Sequence, residues 1–207
     1  MVKLLHVNNY TINTSIFTPL LNSSIVEEFE QNIANYVGAK YAVSLNSATS
    51  AIFLLMLNKD IEVTIPSIIP PVVANAIITS GNKIKFKDDI KWVGNSYVLH
   101  DFGDYKIVDS AQKLEKNQYT HECNDDDLMV FSHYPTKPVG SSDGGMIVSN
   151  NKEKIDQIKI LSKNGNTIEK NSWERSIVVP GYKLYMNSIQ AYIANENFKK
   201  LEDKRNA

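Results

Sequence analysis

Two hydrophobic periods take turns along this chain, runs of four or five apolar residues and longer stripes at helical spacing. The first stripe is Val26, Phe29, Ile33 and Val37, one face of a helix that Gly38 would stop. Ser24-Ile25-Val26-Glu27 has the form of a capping box, in which a serine oxygen and a glutamate satisfy orphan amides. A strand, YAVSL (41–45), then leads through the polar turn Asn46-Ser47-Ala48-Thr49 into the apolar helix SAIFLLML. A strand over 61–65 meets the proline-broken PSIIPP, and a helix over 72–80 ends at Gly81. Five further strands are predicted at 83–87, 97–100, 105–109, 128–132 and 145–149, with helices over 152–162 and 186–203. Residues 1–22 read as a loose N-terminal segment, and no linker or repeat divides residues 1–207, which predicts one domain. Short apolar strands alternating with helices predict an α/β layered fold on a mostly parallel sheet. Such sheets collect ligands at the carboxyl ends of their strands, which makes the strand-to-helix turns the segments to search.

Composition narrows the class. Of 207 residues 43% are apolar and 22% charged, which excludes disorder, and 22 basic against 23 acidic residues give a net charge of −1. A bulk electrostatic hold on nucleic acid or on an anionic membrane is not expected. No apolar run reaches the roughly 18 residues of a membrane span, and MVKLLHVNNYTINTS has too short an apolar stretch for a signal peptide. The single cysteine, Cys123, excludes an internal disulfide framework and fits a reducing compartment. The expectation is a soluble cytoplasmic globule.

Three turns carry chemistry. In Asn46-Ser47-Ala48-Thr49-Ser50-Ala51, small residues admit close approach to the backbone, and the hydroxyls of Ser47 and Thr49 beside helix amides suit a phosphate. The same residues read equally as an ordinary N-cap. Asp109 closes an apolar strand in IVDSAQ, either as a cap for the adjoining turn or as a carboxylate aimed into a site. In FSHYPTKP, Lys137 stands between Pro135 and Pro138, which fix φ and stiffen the loop. A lysine beside an apolar site can lose its proton and act as an amine nucleophile, forming Schiff bases, though most lysines of any chain are surface charges. His121-Glu122-Cys123 lacks the spacing of a metal site, and Asp125-Asp126-Asp127 reads as a solvated turn rather than a calcium loop. There is no GxSxG, the signature of a nucleophile-elbow hydrolase.

Taken in order, SLNSATSAIFLL, IPSIIPPVVANAI, IVDSAQ, FSHYPTKPVGSSDGGMIVSN and GYKLYMNSIQAYIA resemble the DegT/DnrJ/EryC1/StrS family. Its members are fold-type I, pyridoxal 5′-phosphate-dependent sugar aminotransferases. The resemblance implies a three-layer α/β/α transferase domain. It implies Lys137 as the lysine that holds the cofactor as an aldimine and Asp109 as the partner of the pyridine nitrogen. Gln112 is then the side chain near the phenolic oxygen, and Ser47, Ala48, Thr49 and Ser132 are the phosphate cradle. It further implies a homodimer with the site at its interface, an amino-acid donor, typically glutamate, and a nucleotide-linked keto sugar as acceptor. No metal is implied.

The chain departs from the family pattern in places. Pro70 stands where members usually carry an aromatic that stacks on the pyridine ring. Lys183 replaces an asparagine that reaches the neighbouring subunit's phosphate, a role a lysine can fill as a point charge, and Tyr185 replaces an arginine. Members run to nearly twice this length, so the C-terminal small domain is expected to be largely lacking. Besides transamination the residues admit another reaction of the same cofactor, such as decarboxylation or dehydration. A non-catalytic homologue or half of a split enzyme is the further alternative.

Overall fold

Strands that are apolar on both faces need cover on both faces. The computed structural model describes residues 23–169 and 172–206, and the expected loose segment 1–22 lies outside the described residues. The elements run α1 (Ser24–Val37), β1 (Tyr41–Leu45), α2 (Ala48–Met56), β2 (Glu62–Pro66), α3 (Pro71–Thr79), β3 (Lys83–Lys87), β4 (Tyr97–Asp101) and β5 (Lys106–Asp109). They continue α4 (Gln118–Glu122), β6 (Leu128–Ser132), β7 (Gly145–Ser149), α5 (Lys152–Ser162) and α6 (Ser188–Asn206).

Five strands form the central sheet in the order β1-β7-β6-β5-β4, and β2 and β3 form a second, two-stranded parallel sheet. Alternation along each central strand divides the core in two. Leu128 and Val130 of β6 and Ile147 of β7 join Ile52 and Leu55 of α2, Val73 and Ile77 of α3 and Ile155 of α5. Met129, Phe131, Met146 and Val148 join Phe29 and Ile33 of α1, Tyr119 of α4 and Phe198 of α6. Helices therefore cover both faces, and the α/β layering is as the sequence pattern predicts.

The sheet is mixed rather than mostly parallel. Within the central sheet β5 pairs with β6 in parallel, whereas β1–β7, β7–β6 and β5–β4 are antiparallel. Parallel neighbours need a long crossover, and the connections from β4 to β5 and from β6 to β7 are short. Phe102 N donates to Tyr105 O at 2.9 Å and turns β4 back into β5 as a hairpin. No helix separates β6 from β7.

Local details also differ from the sequence expectation. The capping box does not form: the N-cap is Ser23, whose side chain makes no capping bond, and Ser24 is already helical. The Ser23 carbonyl accepts instead from the amides of Val26 and Glu27, at 3.0 and 3.2 Å. Gly38 does end α1 in the left-handed conformation, at φ 81°. Asp127, expected in a solvated turn, is buried. Its carboxylate accepts from Lys106 N at 2.7 Å and Asn124 N at 2.8 Å, which fixes the start of β5. Among the described residues no helix is long and apolar enough to cross a membrane.

Ile147 lies at the middle of β7 and is fully buried. Ile147→Ala should cost about 2–5 kcal/mol, read as a lowered urea midpoint with an unchanged slope.

Candidate active site

Strand direction gathers the polar turns. β1, β5 and β6 run the same way, so Leu45, Asp109 and Ser132 end on one edge of the sheet. β4 and β7 run the opposite way and begin on that edge, which sets Tyr97 opposite Asp109 and Gly145 opposite both Leu45 and Ser132. A cavity of about 490 Å³ opens there. Ser47, Ala48, Thr49, Asp109, Gln112, Ser132 and Lys137, all singled out from the sequence, line it. Pro70 also lines it. Lys183 is the exception: its side chain is exposed and is not part of the lining.

The acid sits deepest. Asp109 is 4% exposed, and its two oxygens accept from Ala111 N at 2.9 Å and from the Tyr97 hydroxyl at 3.1 Å. Burial pushes its carboxyl above the ordinary value, while these two bonds and the Lys137 charge pull the other way. Burial likewise draws the Lys137 ammonium below its ordinary value, opposed by the Asp109 charge. The two groups thus feel each other across one cavity, and each is shifted toward its neutral form.

The start of α2 faces the same space. Ser47 is its N-cap and accepts from Ser50 N at 3.1 Å, and the Ser50 hydroxyl donates to Asn46 Oδ1 at 2.7 Å. The capping reading of this turn is therefore realised. It leaves the first helical amides, Ala48 and Thr49, ahead of the helix's own bonding ladder, which is the usual setting for an anion. Gly145 permits this packing, since a Cβ there would stand 2.4 Å from Ala48 N and from the Ser47 carbonyl.

The loop carrying Lys137 is fastened at its base. His133 N donates to Gly144 O at 2.8 Å, Ser141 N to His133 O at 2.7 Å, and His133 Nδ1 bonds Val139 O at 2.8 Å. α6 holds the far side through the Ser141 hydroxyl on Gln190 O at 2.6 Å and Asn197 Nδ2 on Gly140 O at 2.6 Å. Lys137 N closes a tight turn onto Tyr134 O at 2.9 Å.

Sequence reasoning missed Tyr97, Trp92, Asn95 and Tyr134 in the lining. Tyr97 opens a strand that the pattern predicts, but its pairing with Asp109 depends on strand order, which local pattern does not carry. Trp92 and Asn95 lie in a loop with no motif. Among the described residues no group of three or more His, Cys, Asp or Glu side chains is arranged to hold a metal ion.

The fold is a layered α/β one whose polar turns gather at one edge of the sheet. Comparison with known proteins gives the family: the DegT/DnrJ/EryC1/StrS aminotransferase family model matches residues 18–92 and 103–207, and the chain belongs to that family. It is 30% identical over 217 residues to the UDP-4-amino-4,6-dideoxy-N-acetyl-beta-L-altrosamine transaminase of Campylobacter jejuni, an alignment covering 86% of this chain and 57% of that protein. It is 28% identical to the spore coat polysaccharide biosynthesis protein SpsC of Bacillus subtilis, with the same coverage of 86% and 57%. The chain thus spans little more than half the length of these relatives. Among solved structures, S. venezuelae DesV in complex with a ketimine intermediate aligns with a TM-score of 0.69 at 17% identity, over 89% of this chain and 58% of that one. Bacillus subtilis NtdA with bound cofactor PMP aligns at 0.68 and 19%, over 86% and 48%. The expectation of a fold-type I transferase architecture stands.

His133 supplies a pH test of the lysine loop. It is 1% exposed, and burial pulls its imidazole from 6.5 down to about 4, with the Val139 carbonyl acting in the opposite direction. Between those values the unfolded chain binds the extra proton, so stability is lost as pH falls through that window. From pH 7 to 4 the wild type should lose on the order of 3 kcal/mol more than His133→Asn, read from urea midpoints at each pH.

Proposed function

We propose that this chain forms the cofactor-holding part of a pyridoxal 5′-phosphate-dependent aminotransferase that moves an amino group from an amino acid, glutamate being the expected donor, to a nucleotide-linked keto sugar. The observation that carries the reading is the convergence of Lys137, Asp109 and the start of α2 on one cavity of about 490 Å³. This donor set fits the group: an amine for its aldehyde, a buried acid for its ring nitrogen, and helix amides with hydroxyls for its phosphate.

When bound, pyridoxal phosphate supplies an aldehyde that condenses with amines and a pyridinium ring that accepts electrons. The chain's residues do the rest. Lys137, drawn toward its neutral form by burial, serves as the attacking amine and then as the base that moves a proton at the substrate carbon. Asp109 keeps the ring nitrogen protonated, and Tyr97 and Ala111 N hold its carboxylate in position. Ser47, Thr49 and Ser132, with the amides of Ala48 and Thr49, bind the phosphate dianion. Gln112 meets the phenolic oxygen. Lys183, exposed and outside the lining, suits a reach to the phosphate of a second copy in a homodimer. Residues 1–207 act as one domain in this reading, in the cytoplasm, where a single unpaired cysteine is at home.

Two related features favour transamination of a sugar nucleotide over another reaction of the cofactor. The relative from Campylobacter jejuni is named as a UDP-sugar transaminase, and family membership covers nearly the whole chain.

Incubation of the full chain with pyridoxal phosphate and then borohydride reduction should leave a cofactor-sized mass on the peptide carrying Lys137. Lys137→Ala should carry none there. An unmodified wild type under saturating cofactor would sink the reading. With a UDP-linked 4-keto sugar, label from isotopically marked glutamate should appear in the sugar product, checked by mass spectrometry.

A further inference from the structure

The cavity's polar groups serve the periphery of a flat ligand. Asp109 suits a ring nitrogen, Lys137 an aldehyde, and the start of α2 a phosphate. None of them covers a ring face. The faces fall to the rest of the lining, which includes Ile52, Ile69, Pro70, Val73 and Trp92. Three aromatic side chains line the cavity, and two have other duties. Tyr97 is buried with its hydroxyl bonded to Asp109 at 3.1 Å. Tyr134 is 54% exposed, and its carbonyl closes the lysine turn. Trp92 is half-buried, packs on the core beside α2 and α3, and is also part of the cavity wall.

Its loop is anchored to α4. Trp92 O accepts from Asn95 N at 3.1 Å, and the next residue, Ser96, bonds through its hydroxyl to Glu122 of α4. Glu122 also accepts from Lys113 Nζ at 2.7 Å, directly after Gln112 in the chain. One carboxylate thus ties the Trp92 loop to the loop beyond Asp109. A loop held this way needs little ordering when a ring settles beside it.

We propose that Trp92 covers one face of the pyridine ring, supplying from the 88–96 loop the aromatic surface that Pro70 does not. The inference rests on the cofactor reading above. Apolar and aromatic contact with the ring would then depend on Trp92, while the phosphate would not.

The test uses the full chain and two ligands, pyridoxal phosphate and inorganic phosphate, which has no ring. Trp92→Ala should weaken pyridoxal phosphate binding roughly tenfold, as loss of a stacked face and its buried area implies, and Trp92→Phe should recover most of it. Inorganic phosphate should bind the wild type and both variants alike. Trp173, 80% exposed, is the other tryptophan of the chain. In Trp173→Phe, therefore, emission comes from Trp92 alone and should dim on adding pyridoxal phosphate but not on adding phosphate. Equal pyridoxal phosphate affinity in wild type and Trp92→Ala overturns the proposal, as does an equal loss of both ligands. If Trp92→Ala does not fold, unchanged emission from Trp173→Phe at saturating cofactor overturns it. A wild type that binds no pyridoxal phosphate defeats the parent reading instead, so the two failures are distinct.

Discussion

A carboxylate removed from water is the constraint around which this molecule is arranged. Asp109 is almost fully buried, and its oxygens are met by a backbone amide, a tyrosine hydroxyl and the field of a lysine. Burying a charge without partners costs several kcal/mol, so each partner must be in position once the chain has folded. Tyr97 arrives by strand pairing, Ala111 by the turn after β5, and Lys137 by a loop clipped to α6. A buried acid facing a half-buried amine leaves each nearer its neutral form than it would be in water. That is the condition general acid–base chemistry asks of a pair of side chains.

Strand polarity explains how residues scattered from 47 to 137 reach one edge. Three strands deliver their carboxyl ends there, and the two that run against them deliver their first residues. A wholly parallel sheet would have contributed ends alone. In the mixed sheet the beginnings of β4 and β7 add Tyr97 and Gly145, one as a hydrogen-bond donor and the other as an absence of bulk. The reversal of β4 and β7 is therefore part of the site as well as of the fold.

Most elements were legible in the sequence because they are strongly patterned. LMVFS, GMIVS and KIKFK form strands with the predicted bounds, and the helix at 152–162 is where its periodicity puts it. Strand order was not legible, because alternation says which face a residue takes but not which neighbour it has. That is why Asp109 could be named from its position at a strand end while Tyr97, its cross-strand partner, could not. The capping box failed for a smaller reason: the helix starts one residue before the pattern implied, which puts Ser23 rather than Ser24 at the N-cap. Asp127 was misjudged as a solvated charge because nothing local reveals that two backbone amides close on it. Lys137 and Thr49 stood out as reactive or donor groups in turns after strands, but their roles, and Ser132 altogether, came from the resemblance of the ordered motifs rather than from position. Lys183 remains outside the cavity of this chain.

Gly145 leaves the Ser47–Ala48 peptide in contact with the first residue of β7, and β7 is where the lysine loop ends. The lysine loop and the start of α2 are thereby joined through a contact at which no side chain fits. Their spacing is set when the sheet assembles, so a ligand bridging the two, as proposed above, would find its gauge already cut and spend little binding energy on bringing the two ends together.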